Sequence, residues 1–179
     1  MKLAKAVIIC FVLVVIEVVV FKTILVLSYI PTGSMESTIK TGDIAFGTRY
    51  DTEAEDIERY DIFIFKAPDE PGITYVKRVI GLPGETIIVS NGKVYADGVE
   101  LEDYFTKGPM NRRGDGTYVV PEGCYFFMGD NRNNSRDSRF WVEKYVPLEN
   151  MEAKVKCIFH MPDFIKGLME HMEICSSDR

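Results

Sequence analysis

The sequence predicts a mostly β domain behind one N-terminal membrane-spanning helix. Two observations carry the β assignment. From Gly42 onward, short runs rich in Val, Ile, Phe and Tyr show period-2 alternation. Turns containing Gly and Pro separate these runs, a pattern that fits a barrel or sandwich. The third observation is an apolar stretch from Leu3 to Leu27 whose only charges are Lys5, Glu17 and Lys22.

A helix that crosses a bilayer needs roughly 20 residues, and this stretch is long enough. The apolar core of a cleavable leader is shorter, about 7–15 residues. No small-x-small site follows promptly, since the next residues are Tyr29, Ile30 and Pro31. An uncleaved anchor over residues 1–20 is therefore expected, with Phe21 to Ile30 as a strand at the membrane surface. Lys2 and Lys5 ahead of it put the N-terminus in the cytoplasm and the rest outside, a single-pass cell-membrane protein.

Strands are expected at Asp43–Tyr50, Asp61–Lys66, Ile73–Leu82, Thr86–Ser90, Lys93–Ala96, Thr117–Val120, Cys124–Met128 and Ala153–His160. Asn91-Gly92 marks a hairpin, because a type I′ turn needs positive φ at both central residues. Asp97-Gly98 reads as a second tight turn, and the acidic Asp51 to Glu58 as a loop or single helical turn. Glu100 to Gly116 reads as a mobile loop within a small non-catalytic excursion over about residues 93–123. The β-rich domain thus covers 21–160, and 161–179 form a weakly amphipathic tail.

Charge and cysteines narrow the chemistry. The formal net charge is −6; residues 1–30 contribute +2 through Lys2, Lys5 and Lys22 against Glu17, so residues 31–179 carry −8. Phosphate binding needs clustered Lys and Arg, so a nucleic-acid partner is not expected. Cys10, Cys124, Cys157 and Cys175 include no C-x-x-C pair, and His160 and His171 are the only histidines. A zinc site therefore has no support, and a His-based metal site or a Ser-His-Asp triad is not expected.

Three stretches remain as chemistry. Pro31 to Lys40 holds Ser34 directly after a glycine. A serine hydroxyl is a poor nucleophile unless a base stands within hydrogen-bond reach and donors await the oxyanion. By itself T-G-S-M can also be an ordinary turn. Lys77 lies between Val76 and Val79 in a hydrophobic run. It is either an edge lysine with its head in water or a buried amine whose pKa is lowered into the range of a general base. Arg78 beside it points to the opposite face of a strand. The third stretch, Gly129 to Trp141, is rich in Asn, Asp and Ser that hold loops through side-chain hydrogen bonds. There Asp137 and Arg139 can pair, while Ser135 and Ser138 can offer hydroxyls to an amine; an ordinary surface loop is the alternative.

Together the three resemble the type I signal peptidases, membrane-bound Ser-Lys serine proteases. Their nucleophile box, S-G-S-M-x-P-T-L, is met by T-G-S-M-E-S-T-I with Ser34 at the nucleophile. Gly42-Asp43 match a following G-D box. The lysine box is met by Lys77, Arg78, Val79, Gly81, Pro83, Gly84 and Glu85. The last box is met by Gly129, Asp130, Asn131, Ser135, Asp137, Ser138 and Arg139. The boxes fall in family order over about residues 1–160. Ser37 stands where proline is usual, Thr32 where serine is common, and Val142 where glycine is common.

The resemblance implies a barrel-like catalytic domain of coiled antiparallel sheets. It implies Ser34 and Lys77 as catalytic residues, and the Thr32 hydroxyl with the Ser34 N–H as oxyanion hole. Ser135, Asp137, Arg139, Arg78, Asp130 and Asn131 would support the site. Preproteins with small residues at the first and third positions before the cut are the implied substrates, the bilayer is a partner, and no metal or cofactor is implied. An organelle inner-membrane processing peptidase is a variant of the same chemistry. A self-cleaving repressor would need a DNA-binding domain ahead of the serine, and an inactive homologue would lack Ser34 or Lys77; both residues are present.

Overall fold

The computed structural model describes residues 5, 9–15, 24–49, 57–70, 72–165 and 167. Within them lie eleven strands: β1 (Leu25–Tyr29), β2 (Ile44–Arg49), β3 (Ile62–Lys66), β4 (Thr74–Gly81), β5 (Thr86–Ser90), β6 (Lys93–Ala96), β7 (Val99–Glu100), β8 (Gly116–Val119), β9 (Cys124–Met128), β10 (Val146–Pro147) and β11 (Met151–Phe159). All eight strands expected after residue 42 are present, to within a few terminal residues. The short β7 and β10 carry too few residues to show an alternation in sequence.

The strands form two antiparallel sheets. The larger has seven strands in the order β1-β2-β11-β3-β4-β9-β10, and the smaller has four in the order β7-β6-β5-β8. Neither closes, so the barrel-like expectation is corrected to two open sheets. Strand β11 pairs with β2 on one side and β3 on the other, with register shifts at Met151/Ala153 and Val155/Cys157. Such bulges bend a strand and increase its twist, which lets nine residues serve two neighbours.

The smaller sheet is inserted between β4 and β9. Its first hairpin turns at Asn91 (φ 52°) and Gly92 (φ 82°), both in the left-handed region that a type I′ turn demands. Where the sheets meet, a Cβ on Gly81 would lie 2.7 Å from Ile87 Cγ1 and 2.9 Å from Phe126 Cβ, so only glycine fits. Arg59 holds the turn between them by donating to Glu85 at 2.9 and 2.5 Å and to the Ile80 carbonyl at 2.6 Å.

Three apolar clusters fill the interior. Phe63, Phe65, Val79, Phe127 and Trp141 pack between β3, β4 and β9. Ile80, Ile87, Tyr118 and Phe126 join the two sheets. Ile30, Met35, Ile39, Ala45, Ile64 and Val76 fill the space beneath the segment that carries Ser34. Each large side chain buried in this way is worth about 1.5–3 kcal/mol, so the Ser34 segment is fixed by a core of its own.

Phe105, from the supposedly mobile excursion, is buried and accepts a hydrogen bond from Ser37 Oγ at 2.8 Å. The excursion is packed onto the Ser34 segment at that point, not loose. Residues 9–15 are helical, and Ile9, Phe11, Val12, Leu13, Val14 and Val15 are exposed. Among the described residues no helix is long and apolar enough to cross a membrane. The rest of the expected anchor, most of the acidic 51–58 segment and the tail beyond residue 167 lie outside the described residues.

Candidate active site

The segment from Ile30 to Asp43 is a closed loop. Ile30 N donates to Asp43 O at 2.9 Å and Gly42 N donates to Ile30 O at 2.7 Å, drawing its ends together. Gly42 has φ 83°, the conformation this closure requires. Asp43, fully buried, accepts from Lys40 N at 2.9 Å and lies 2.7 Å from His160 Nδ1. At the tip, Gly33–Met35 make one 3-10 turn entered through extended Thr32. Asn131 clamps that turn from the 129–141 loop: its N–H donates to Ser34 O at 3.1 Å and its Nδ2 to Gly33 O at 3.0 Å.

Lys77 reaches Ser34 from β4. Its Nζ donates to Ser34 Oγ at 2.7 Å and to Val76 O at 3.2 Å, and lies 5.2 Å from the Tyr75 ring centroid. The side chain is 3% exposed, so the buried alternative for this lysine is the one realised. Burial lowers its pKa from 10.5 to about 8, against the carboxylates of Asp137 and Asp130, which raise it. The neighbouring Arg78 guanidinium is paired with Asp130, so desolvation carries the shift.

Two buried ion pairs hold these parts in place. Arg78 donates to Asp130 Oδ1 at 2.8 Å and Oδ2 at 2.5 Å, to Thr38 Oγ1 at 3.1 Å and to Tyr60 O at 2.8 Å. Thr38 Oγ1 in turn donates to Asp130 Oδ2 at 2.5 Å, tying the Ser34 loop to this pair. Arg139 donates to Asp137 through Nε and Nη2, both at 2.8 Å, and the two side chains are fully buried. Asp137 also accepts from Gly129 N at 3.0 Å. A two-pronged pair with further donors satisfies charges that would be costly if left alone.

Gly129 is the closest approach between the loops. A Cβ there would press on the Ser34 carbonyl oxygen and on Ser135 Oγ. Ser135 lines the cleft that holds Ser34 and Lys77, but its Oγ is buried and has no hydrogen-bond partner among the described residues. The lysine amine is bonded to Ser34 and Val76 instead. Ser138, the other candidate hydroxyl, accepts from Phe127 N at 2.9 Å and zips the loop to β9. Thr32 Oγ1 lies 3.4 Å from Ser34 Oγ, beside the nucleophile.

The replaced positions are accommodated. Ser37 bonds Phe105, as above. The turn at Val142 is held by Asp69, which accepts from Val142 N at 2.7 Å and Glu143 N at 2.8 Å. Thr38, Tyr75 and Gly129 also shape the site. Gly129 and Thr38 carried a signal in sequence, as matched positions of their boxes; Tyr75 resembles any strand residue.

Two clefts meet at Ser34. One, about 280 Å³, runs along Ser28–Pro31 and Ile73–Lys77 and is walled by Ile30, Met35, Ile73 and Val76. The other, about 400 Å³, leads from Thr32, Ser34 and Lys77 toward Asn133, Ser135 and Arg136. Beside the first, β4 is half-paired: β3 pairs with it over Thr74–Arg78, whereas β9 pairs only from Arg78 onward. Among the described residues, Thr74–Lys77 therefore offer a free backbone edge.

Comparison with known proteins bears on this arrangement. The family model described as signal peptidase, peptidase S26, matches residues 2–160. Signal peptidase I of Pseudomonas aeruginosa is 35% identical over 158 residues, covering 66% of this chain and 56% of the relative. Signal peptidase I of Rickettsia bellii is 31% identical over 205 residues, covering 83% and 71%. A crystal structure of a signal peptidase I from Enterococcus faecalis superposes with a TM-score of 0.50 at 31% identity, covering 57% of this chain and 98% of that one. The chain spans little more than half the length of the Pseudomonas relative.

Proposed function

Because the chain belongs to the signal peptidase family, peptidase S26, we propose that it is a membrane-anchored serine endopeptidase. It would remove signal peptides from exported preproteins through a Ser34–Lys77 dyad and an acyl-enzyme. One observation carries the reading: an amine 3% exposed, with its pKa lowered to about 8, sits 2.7 Å from a serine hydroxyl.

In this mechanism the neutral Lys77 amine takes the Ser34 proton as Oγ attacks the scissile carbonyl. The oxyanion is held by the Ser34 N–H and the Thr32 hydroxyl. The C–N bond then breaks, and Lys77 gives the proton to the leaving amine. Water, deprotonated by the same amine, attacks the acyl-enzyme and frees Ser34. Ser135 Oγ, unpartnered on the wall of the cleft, is the group we assign to orient the amine while Ser34 is acylated. Asp137–Arg139 and Arg78–Asp130 brace the loops, and Asn131 fixes the Ser34 turn.

The free edge of β4 suits an extended substrate segment, which would add as a strand. The narrow apolar cleft suits small side chains at the first and third positions before the cut. Exposed apolar residues 9–15 and Leu27 support a membrane-seated N-terminus, with the N-terminus cytoplasmic and the domain outside. The test is a cleavage assay on a preprotein with a small-x-small site. Ser34→Ala is expected to abolish cleavage while the fold persists; turnover by that variant would reject the mechanism.

A further inference from the structure

Arg132 has no place in this chemistry and an unusual setting. It is 4% exposed, yet no carboxylate pairs with it among the described residues, and its Nε has no hydrogen-bond partner. The carboxylates that face it are Asp130, Asp137 and Asp103. Asp130 is committed to Arg78 and Asp137 to Arg139; Asp103, which with Glu100 and Glu102 borders a smaller cavity that Arg132 also lines, makes no ion pair with it among the described residues. The guanidinium lies 5.8 Å from the Phe105 ring centroid. Burial lowers its pKa to about 10, which still leaves it charged at neutral pH. A buried, unpaired charge is costly. A fold that keeps one beside an open cleft has left room for a counter-charge from outside.

The cleft is about 290 Å³ and is bordered by Arg132, Arg113, Arg136, Asn133 and Phe140. Arg136 is paired with Glu70. Arg113 is exposed and meets the Phe140 ring at 5.8 Å, with no carboxylate partner among the described residues. This concentration of arginine stands in a region, residues 31–179, that carries −8 overall. The cleft shares Arg113, Asn133, Ser135 and Arg136 with the one that opens onto Ser34 and Lys77. The apolar cleft that suits residues before the cut is lined instead by Ser28–Pro31 and the start of β4. A chain that fills the apolar cleft and passes Ser34 continues toward the arginines.

We infer that the arginine cleft binds an acidic side chain, Asp or Glu, of the substrate just after the cut, and so selects on the leaving side. The inference rests on the peptidase reading above. A carboxylate offers two acceptors that match the fork of a guanidinium.

The experiment uses the full chain in detergent and preproteins identical up to the cut, with Glu, Gln or Lys placed at successive positions after it. At one position Glu is expected to exceed Gln in kcat/KM by about tenfold, as for a charge-assisted hydrogen bond, with Lys below Gln. Arg132→Gln should bring that ratio close to one. Arg113→Glu, at an exposed position, should turn the preference toward Lys. Equal kcat/KM for Glu and Gln at every position in the parent, or an unchanged preference in either variant, would overturn the inference while leaving the peptidase reading intact. If no preprotein is cut at all, both fail.

Discussion

Replacing Lys77 by Met should make the protein more stable and inactive at once. Unfolded, the amine binds its proton up to about pH 10.5; folded, it does so only up to about 8. At about 1.4 kcal/mol per tenfold, holding the protonated amine in this site costs about 3 kcal/mol. The cost is present in full below pH 8. It shrinks as pH rises from 8 to 10.5 and vanishes above, because only in that window does the unfolded chain bind the extra proton. Methionine fills a similar volume without charge, and loses the bonds to Ser34 Oγ and Val76 O, at about 1 kcal/mol each. The net gain near pH 7 is therefore about 1–2 kcal/mol. That corresponds to roughly 2–8 °C in Tm for a chain of this size. Thermal unfolding of parent and Lys77→Met in the same detergent, followed by circular dichroism at pH 7 and near pH 10, measures it. A variant no more stable than the parent at pH 7 would refute the reasoning. So would a gain that stays the same at both pH values, since the cost is then not that of a buried protonated amine.

The same amine sets the pH dependence of activity: kcat/KM should rise about fivefold between pH 7 and 8, as the neutral fraction of a group titrating near 8 grows, and level off above about pH 9. Lys77→Arg should be inactive across that range, since guanidinium does not deprotonate, and a surviving rising limb would point to another base. Gly129→Ala should lower kcat by about a hundredfold or more, because its Cβ displaces the Ser34 carbonyl and small misplacements of a nucleophile are costly. Parent-like kcat in that variant would mean that the Gly129 contact does not position Ser34.

Most strands were legible in the chain order, since period-2 runs and Asn91-Gly92 act over a few neighbouring residues; the two-residue β7 and β10 were not. The sequence also singled out Ser34 and Lys77, because the boxes that hold them resemble those of the type I signal peptidases in content and order. It could not decide whether Lys77 was a wet edge lysine or a buried amine. That depends on Ser34, 43 residues away along the chain, closing over β4. Nor could it show that Asn131 clamps Gly33 across 98 residues, or that Ser37 is held by Phe105 of the excursion. The carboxylates Asp130 and Asp137 were legible as members of a box, but their partners were legible only where local. Asp137 binds Arg139 two residues on, whereas Asp130 binds Arg78 from another strand. Arg132 is the extreme case. In sequence it is one more arginine in a polar loop; only the packing that buries it, with Asp130 and Asp137 bound to other arginines, leaves it without an ion pair among the described residues. Local pattern dictates element type because its causes are short-ranged; burial and partnership are set by contacts that the chain order does not encode.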